Sequence, residues 1–404
     1  MKEKNKSFIF FALAKTGEGM SGGDRIFMEL GKRIGVDYPI EIFTSYEGLK
    51  LCQEHKITAK KLKIILVNNR PFQRLFLLIY IYKIVLGIKL GLTYKIPTSN
   101  NLPPSPFMYS ASEFWMDSLP ALIIKLRYPK LKWVAAWYQT APNPLIGFKE
   151  GARNNSYRFS AFLYWLMQVP IKPLIKKYAD FVIVNNEDER KQFPMMNKAG
   201  KVIVLIGAVP LGRIKKYITA HNPQHTTKIY DAVFQGRFHP QKGVGELVGI
   251  WKKVVNKIPD AKLAMVGDGP LRKSVELRIK NHGLEDNVKL FGYVFDGLQK
   301  YKIFSQSKIV VHPAFYDSGG MAAAEAMAFG LPCVGFNLKS YISYYPKGMV
   351  KVKIGESAAF ADAIIRLLSD KRLRAKIGRE AENMIKESWS WKNRTVQLLE
   401  KIMQ

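Results

Sequence analysis

Short apolar runs alternate with helix-like segments along this chain, and the alternation starts twice. That pattern leaves few folds open. Strand–helix repeats cover both faces of a sheet, so the strands run parallel and read as continuous apolar runs. Residues 7–14 read as a first strand. Gly22-Gly23 then open a helix whose Ile26, Phe27, Leu30 and Ile34 share one face. Glu41–Thr44, Lys63–Val67, Lys132–Tyr138 and Phe181–Val184 read as further strands. Residues 97–106, with Pro97, Pro103, Pro104 and Pro106, read as a loop. A weaker, polar stretch at 207–228 reads as a linker. The pattern then restarts. Strands are predicted at 232–234, 262–266, 288–291, 309–311 and 332–335. Helices are predicted at 245–257, 271–281, 321–329, 357–369 and 372–388, and a last one runs from Trp389 to Met403. At 404 residues the chain also exceeds what one core sustains, since single cores stop growing near about 250–300 residues. The expected organisation is an N-terminal domain over 1–206, a linker over 207–228, a second domain over 229–388 and a terminal helix over 389–404.

The charge is lopsided. Lys+Arg number 63 and Asp+Glu 32, a formal net charge of +31. Nucleic acid, an anionic membrane and an anionic substrate are all partners for such a chain. The excess is spread over both halves, and no run of five like charges occurs, which weakens the nucleic-acid reading. One window stands out. Lys56, Lys60, Lys61, Lys63, Arg70, Arg74, Lys83, Lys89 and Lys95 face Glu54 alone between residues 51 and 100. The two cysteines, Cys52 and Cys333, exclude a disulfide framework and a cysteine zinc site. They suit a reducing compartment, so a cytoplasmic protein is expected.

Two segments raise the question of membranes. Lys2, Lys4 and Lys6 precede the apolar run Phe8–Ala14, which has the outline of a signal peptide. The strand reading is preferred, because a Gly-rich turn and a helix follow. Leu75–Leu92 is the longest apolar stretch, and Lys83 and Lys89 interrupt it. It reads equally as a buried helix or as an in-plane membrane helix whose lysines snorkel to headgroups. Tyr157 to Val169, with Phe159, Phe162, Tyr164 and Trp165, is either a core helix or a lipid-facing surface.

The chemistry-bearing motifs lie in the second half. Gly236-Arg237-Phe238-His239-Pro240-Gln241-Lys242-Gly243 sets two cations on a turn after a strand. Such a turn suits a diphosphate, or is an ordinary solvated loop. Asp317-Ser318-Gly319-Gly320-Met321 leads into the helix former Ala322-Ala323-Ala324-Glu325-Ala326-Met327-Ala328. Its glycines allow backbone amides to approach an anion. Glu325 is a carboxylate among small side chains, which is costly without a partner. A ribose diol is one partner, and a nearby Lys or Arg is the other. Gly267-Asp268-Gly269-Pro270-Leu271 and Gly292-Tyr293-Val294 lie between these motifs.

Together, these motifs resemble the glycosyltransferases of the GT-B fold, most closely family 4 of the retaining sugar-nucleotide-dependent enzymes. The resemblance covers nearly all of residues 230–400. It is thinner over 1–206, where Gly22-Gly23 before Leu30 and Ala179-Asp180-Phe181-Val182-Ile183-Val184 match. It implies two Rossmann-like domains facing across a cleft, with the terminal helix returning to the first. It implies that Arg237 and Lys242 hold the donor diphosphate and that Glu325 is the second carboxylate of the family's Glu-x7-Glu pattern, on the ribose. Asp317 stands where the first carboxylate, usually Glu, lies near the donor sugar; it is one methylene shorter. Ser318, Gly319, Gly320 and Met321 would line sugar and phosphate, Gly292, Tyr293 and Val294 would meet the base, and Gly22 and Gly23 would approach the diphosphate from the first domain. No cofactor or metal is implied.

The family's histidine at the end of a first-domain strand is missing here. Tyr138 or Gln139 takes its place, and the only first-domain histidine is His55. A retaining mechanism tolerates this, because the leaving diphosphate oxygen can take the acceptor proton. His221 and His225 are four apart on a polar segment and lack a third ligand, so a metal site is not expected there. The expected partners are a nucleotide-sugar donor and a glycan or glycolipid acceptor, as in polysaccharide or glycolipid assembly, with peripheral contact to the cytoplasmic face of an anionic membrane. The alternatives are a sugar-nucleotide epimerase of the same fold and, further off, a basic nucleic-acid-binding protein.

Overall fold

A computed structural model describes residues 6–15, 20–67, 76–96, 106–148, 157–221 and 226–404. The lysines at 2 and 4, Arg70, Arg74, His225 and nearly all of the proline-rich loop at 97–106 lie outside the described residues. Among the described residues, thirteen strands form two parallel sheets. The first holds β1 (Phe8–Ala12), β2 (Ile40–Thr44), β3 (Leu62–Leu66), β4 (Phe107–Ser110), β5 (Lys132–Trp137), β6 (Phe181–Val184) and β7 (Val202–Val204), in the order β3-β2-β1-β4-β5-β6-β7. The second holds β8 (Tyr230–Gln235), β9 (Leu263–Val266), β10 (Val288–Gly292), β11 (Ser307–His312), β12 (Cys333–Phe336) and β13 (Met349–Val352), in the order β10-β9-β8-β11-β12-β13. The N-terminal apolar run is thus the middle of a sheet, and every residue of β1 is buried.

The chain divides into two compact units. One comprises residues 1–143, 162–206 and 391–404, and the other 144–161 and 207–390. Each has its own core. In the first, Ile9, Phe11, Met108, Trp133, Trp137, Val182 and Val184 pack together from neighbouring strands. In the second, Phe234, Met265, Val311, Val334 and Phe336 from the strands pack with Leu247, Trp251 and Ile364 from the covering helices. Burial on both faces explains why the strands read as unbroken apolar runs rather than alternating ones. The terminal helix Trp391–Met403 lies against the helix Gly22–Asp37 of the first unit, and Lys6 Nζ donates to the Met403 carbonyl at 3.4 Å.

Two readings change. The stretch 207–228 is not simply a linker, because Leu211–His221 is a helix of the second unit. Its Ile214 and Tyr217 are buried, and Tyr217 packs edge-on against Tyr301. The segment 144–148 groups with the second unit, where Phe148 packs edge-on against His239 and Tyr316. A run of polar residues hid the first, and an aromatic anchor distant in sequence decides the second.

The helix Phe76–Thr93 has one packed face and one open face. Its inner face packs on the helix Trp115–Arg127, where Gly87 comes close enough that a Cβ would meet the Met116 carbonyl at 2.8 Å. Lys83 does not snorkel. It is fully buried, donating to the Lys15 carbonyl and to Glu47 at 3.2 Å. Burial lowers its pKa, and Glu47 works against that. The outer face is apolar and open: Leu77, Leu78, Ile81, Val85 and Leu92 are exposed, with Lys89 among them. Phe159, Phe162 and Leu166 on the helix Arg158–Leu166 are exposed as well. Among the described residues, no helix is long and apolar enough to cross a membrane.

Candidate donor site and the first-unit strand ends

In a parallel sheet the loops after the strands share one edge, and ligands bind where the strand order reverses. In the second sheet that switch point lies between β8 and β11. The loop after β8 carries Arg237 and Lys242, and the loop after β11 carries Asp317–Met321. The fold therefore sets the two motifs side by side.

Local geometry fixes the first loop. His239 caps the turn Pro240–Lys242, and Gly243 follows in the left-handed region at φ 65°. Its carbonyl then starts the helix Val244–Val255 by accepting from Leu247 N at 2.9 Å. Arg237 is exposed at the mouth of the turn. Lys242 Nζ points across to Asp317 Oδ2 at 2.5 Å.

Asp317 is the hub of the second loop. Oδ2 also takes bonds from His312 Nε2 at 3.0 Å and Tyr341 OH at 3.1 Å. Oδ1 accepts from the Gly319 and Gly320 amides at 3.2 and 3.1 Å. The carboxyl is almost entirely buried. Burial alone would raise its pKa, but the Lys242 ammonium and His312 outweigh this and hold it well below the carboxylate range. His312 moves the other way: burial lowers its pKa, and Asp317 only partly restores it. Tyr345 OH closes the turn by donating to the Gly319 and Gly320 carbonyls at 3.0 and 2.6 Å. The two amides expected to meet a sugar or phosphate thus bond to Asp317, while Ser318 and Met321 stay half-exposed at the rim.

Glu325 follows on the helix Met321–Met327. Its Oε2 accepts from Lys300 Nζ at 2.6 Å and from Gln235 Nε2 at 3.1 Å. The Lys partner weighed from sequence is therefore present. Gly292, at φ 68°, ends β10 beside Gly267, whose amide donates to the Gly292 carbonyl at 2.8 Å. Tyr293 is half-exposed and packs edge-on to Phe295, whereas Val294 is buried. All the second-unit residues singled out from sequence lie in loops at this one edge or on the helix that follows.

The first unit has its own switch point, between β1 and β4. Ser21 caps the helix Gly22–Asp37, and its reciprocal partner is Asp24. A Cβ on Gly23 would lie 3.2 Å from the Tyr138 ring, so Gly23 and Tyr138 are neighbours here. Tyr138, in the histidine's place, shares a short hydroxyl–hydroxyl bond with Tyr109. Burial and Tyr109 push its phenol well above the ordinary range, so it stays protonated at neutral pH. Glu113 lies behind it. Its Oε2 accepts from Tyr138 N at 3.2 Å and its Oε1 from Gln168 Nε2 at 3.1 Å. Burial raises its pKa to about 7, and the same cause raises Asp117, which holds the Leu13 and Ala14 amides, to about 7.

Sequence reasoning passed over His312, Lys300, Gln235, Tyr341 and Glu113. His312 and Gln235 end parallel strands, a position that is itself a signal. Lys300 and Glu113 lie in stretches with no motif.

Comparison with known proteins places this arrangement. Residues 217–384 match the family described as Glycosyl transferases group 1. The N-acetyl-alpha-D-glucosaminyl L-malate synthase of Bacillus anthracis is 30% identical over 155 residues, 38% of this chain and 39% of that protein. The phosphatidyl-myo-inositol mannosyltransferase of Mycobacterium leprae is 25% identical over 293 residues, 71% of this chain and 75% of that protein. The matches to the first two curated relatives span only 39% and 41% of their lengths. Among solved structures, Anabaena HepE in complex with UDP and glucose superposes with a TM-score of 0.69 at 17% identity, covering 99% of both chains. Residues 217–384 thus match the group 1 glycosyl transferases, and the chain has the GT-B fold, with two Rossmann-like units.

Proposed function

We propose that this chain is a group 1 glycosyl transferase that moves a sugar from a nucleoside-diphosphate donor to an acceptor hydroxyl with retention of configuration. The observation that carries this reading is the meeting of the Arg237–Lys242 turn with the Asp317–Glu325 turn at the β8/β11 switch point. The bond between the anomeric carbon and the diphosphate oxygen breaks, and the acceptor oxygen bonds to that carbon on the same face. The acceptor proton passes to the leaving oxygen. Arg237 and Lys242 stabilise the charge that develops there. An ammonium has three donors and Asp317 occupies one, so Lys242 can serve both. Glu325 meets the ribose, and Tyr293 the base. No metal or cofactor enters this scheme.

Calorimetric titration with UDP, GDP and ADP tests the donor site. One of them is expected to bind, and Arg237→Ala is expected to weaken it by about tenfold or more, as for a lost charge-assisted bond. A folded protein that binds none of the three would refute the donor reading. The anomeric configuration of the product, read by NMR, decides retention.

The acceptor is proposed to be a glycolipid or membrane-linked glycan, reached from a cytoplasmic bilayer surface. The exposed apolar stripe on the helix Phe76–Thr93, within a lysine-rich window, supports this. Each basic residue near an anionic surface adds about 1 kcal/mol. The relative from Mycobacterium leprae is named a phosphatidyl-myo-inositol mannosyltransferase. The protein is expected to float with phosphatidylglycerol vesicles and not with phosphatidylcholine alone. Ile81→Glu with Val85→Glu should cut the bound fraction severalfold. Equal flotation of wild type and variant would place any lipid contact elsewhere.

A further inference from the structure

We propose that Lys300 is a positioning residue for Glu325 and thereby sets a preference for ribonucleotide over deoxyribonucleotide donors. The inference rests on the reading that Glu325 meets the ribose.

Lys300 belongs to the helix Leu298–Ser305, between the exposed Gln299 and the buried Tyr301. Its own side chain is 1% exposed. Lysine is almost never buried this far unless it is paired. Here it has two partners. Asp296, one turn earlier, makes a short ion pair with Nζ, and Glu325 Oε2 lies at 2.6 Å. Glu325 is itself 4% exposed. The Gln235 amide reaches the same Oε2 at 3.1 Å from the end of β8. Two donors from two elements therefore converge on one carboxylate oxygen, which fixes where the carboxylate plane lies.

Stability does not account for this trio. Replacing a buried ion pair by apolar side chains of similar size is often neutral or stabilising. Glu325 stands on a helix of alanines and Met, where an apolar residue would fit the pattern. The chain has instead buried a cation and two carboxylates next to the edge where β8 and β11 end. An ionised carboxylate of set orientation is what accepts hydrogen bonds from a vicinal diol. A carboxylate free to rotate would lose that discrimination first.

The test is the ratio of affinities for each ribonucleotide and its 2′-deoxy form, by calorimetry on the full chain with UDP, GDP and ADP. The wild type should favour one ribonucleotide over its deoxy form by about tenfold, as for a charge-assisted hydrogen bond. Lys300→Met should bring that ratio to within about twofold of unity, chiefly by weakening the ribonucleotide. A purely structural lysine would leave the ratio unchanged in whatever protein stays folded. Should Lys300→Met not fold by circular dichroism, Lys300→Met with Asp296→Asn keeps the net charge of the trio, and the same collapse of the ratio is expected. If the wild type prefers the ribonucleotide and the variant keeps that preference, Lys300 has no such role while the donor reading stands. If the wild type binds both forms equally, or binds neither, the assignment of Glu325 to the ribose fails and Lys300 falls with it.

Discussion

Lys242→Ala is expected to lower turnover in the proposed sugar transfer by about 10²–10³-fold, the loss seen when one preorganised donor to a developing anion is removed. It should also destabilise the second unit by about 3 kcal/mol. Both effects come from one ammonium. Toward the proposed donor it stabilises the diphosphate; toward the protein it balances Asp317 at 2.5 Å, whose carboxyl is 7% exposed. The stability loss lies at the low end for a broken buried pair, because His312, Tyr341 and the Gly319 and Gly320 amides still bond to Asp317. The two roles separate in a double variant. Lys242→Ala with Asp317→Asn removes the unbalanced charge, so denaturant melts should show part of the stability regained. Turnover should stay low. If turnover returns with stability, Lys242 is only the counter-ion of Asp317, and the diphosphate is held by other groups.

Gly243→Ala is expected to cost about 3 kcal/mol or more and to abolish nucleotide binding. Gly243 has φ 65°, and an added Cβ would stand 2.0 Å from the Pro313 carbonyl oxygen. The left-handed backbone alone costs an alanine about 1 kcal/mol. The collision is with main chain, so no side chain can swing aside. The Lys242 turn must instead part from the loop after β11, which separates the two motifs of the site. Gly249→Ala is the control on the same helix. Nothing lies within 4 Å of its added Cβ, and it should stabilise by about 0.5–1 kcal/mol through helix propensity. Equal denaturant midpoints for the two variants would contradict the close approach at Gly243.

The βα pattern was legible because burial on both faces leaves an unbroken apolar run, as in Phe8–Ala12 and Val182–Val184. The Gly-rich turns were legible because positive φ, as at Gly243 and Gly320, requires glycine. The half-exposed Met349–Val352 was missed, being too mixed to read as a strand, and the short β4 and β7 were missed as well. The helix Leu211–His221 was missed because Lys215 and Lys216 dilute its apolar face.

Sequence alone therefore determined the alternating architecture, ten of the thirteen strands among the described residues and the two turns that carry the candidate donor site. Tertiary structure alone decided the partners. Asp317 stands 75 residues from Lys242, and Glu325 stands 25 from Lys300 and 90 from Gln235. Periodicity tells which face of an element is buried. It does not tell which buried charges meet, because that depends on strand order and on the crossovers that bring the ends of β8 and β11 to one edge.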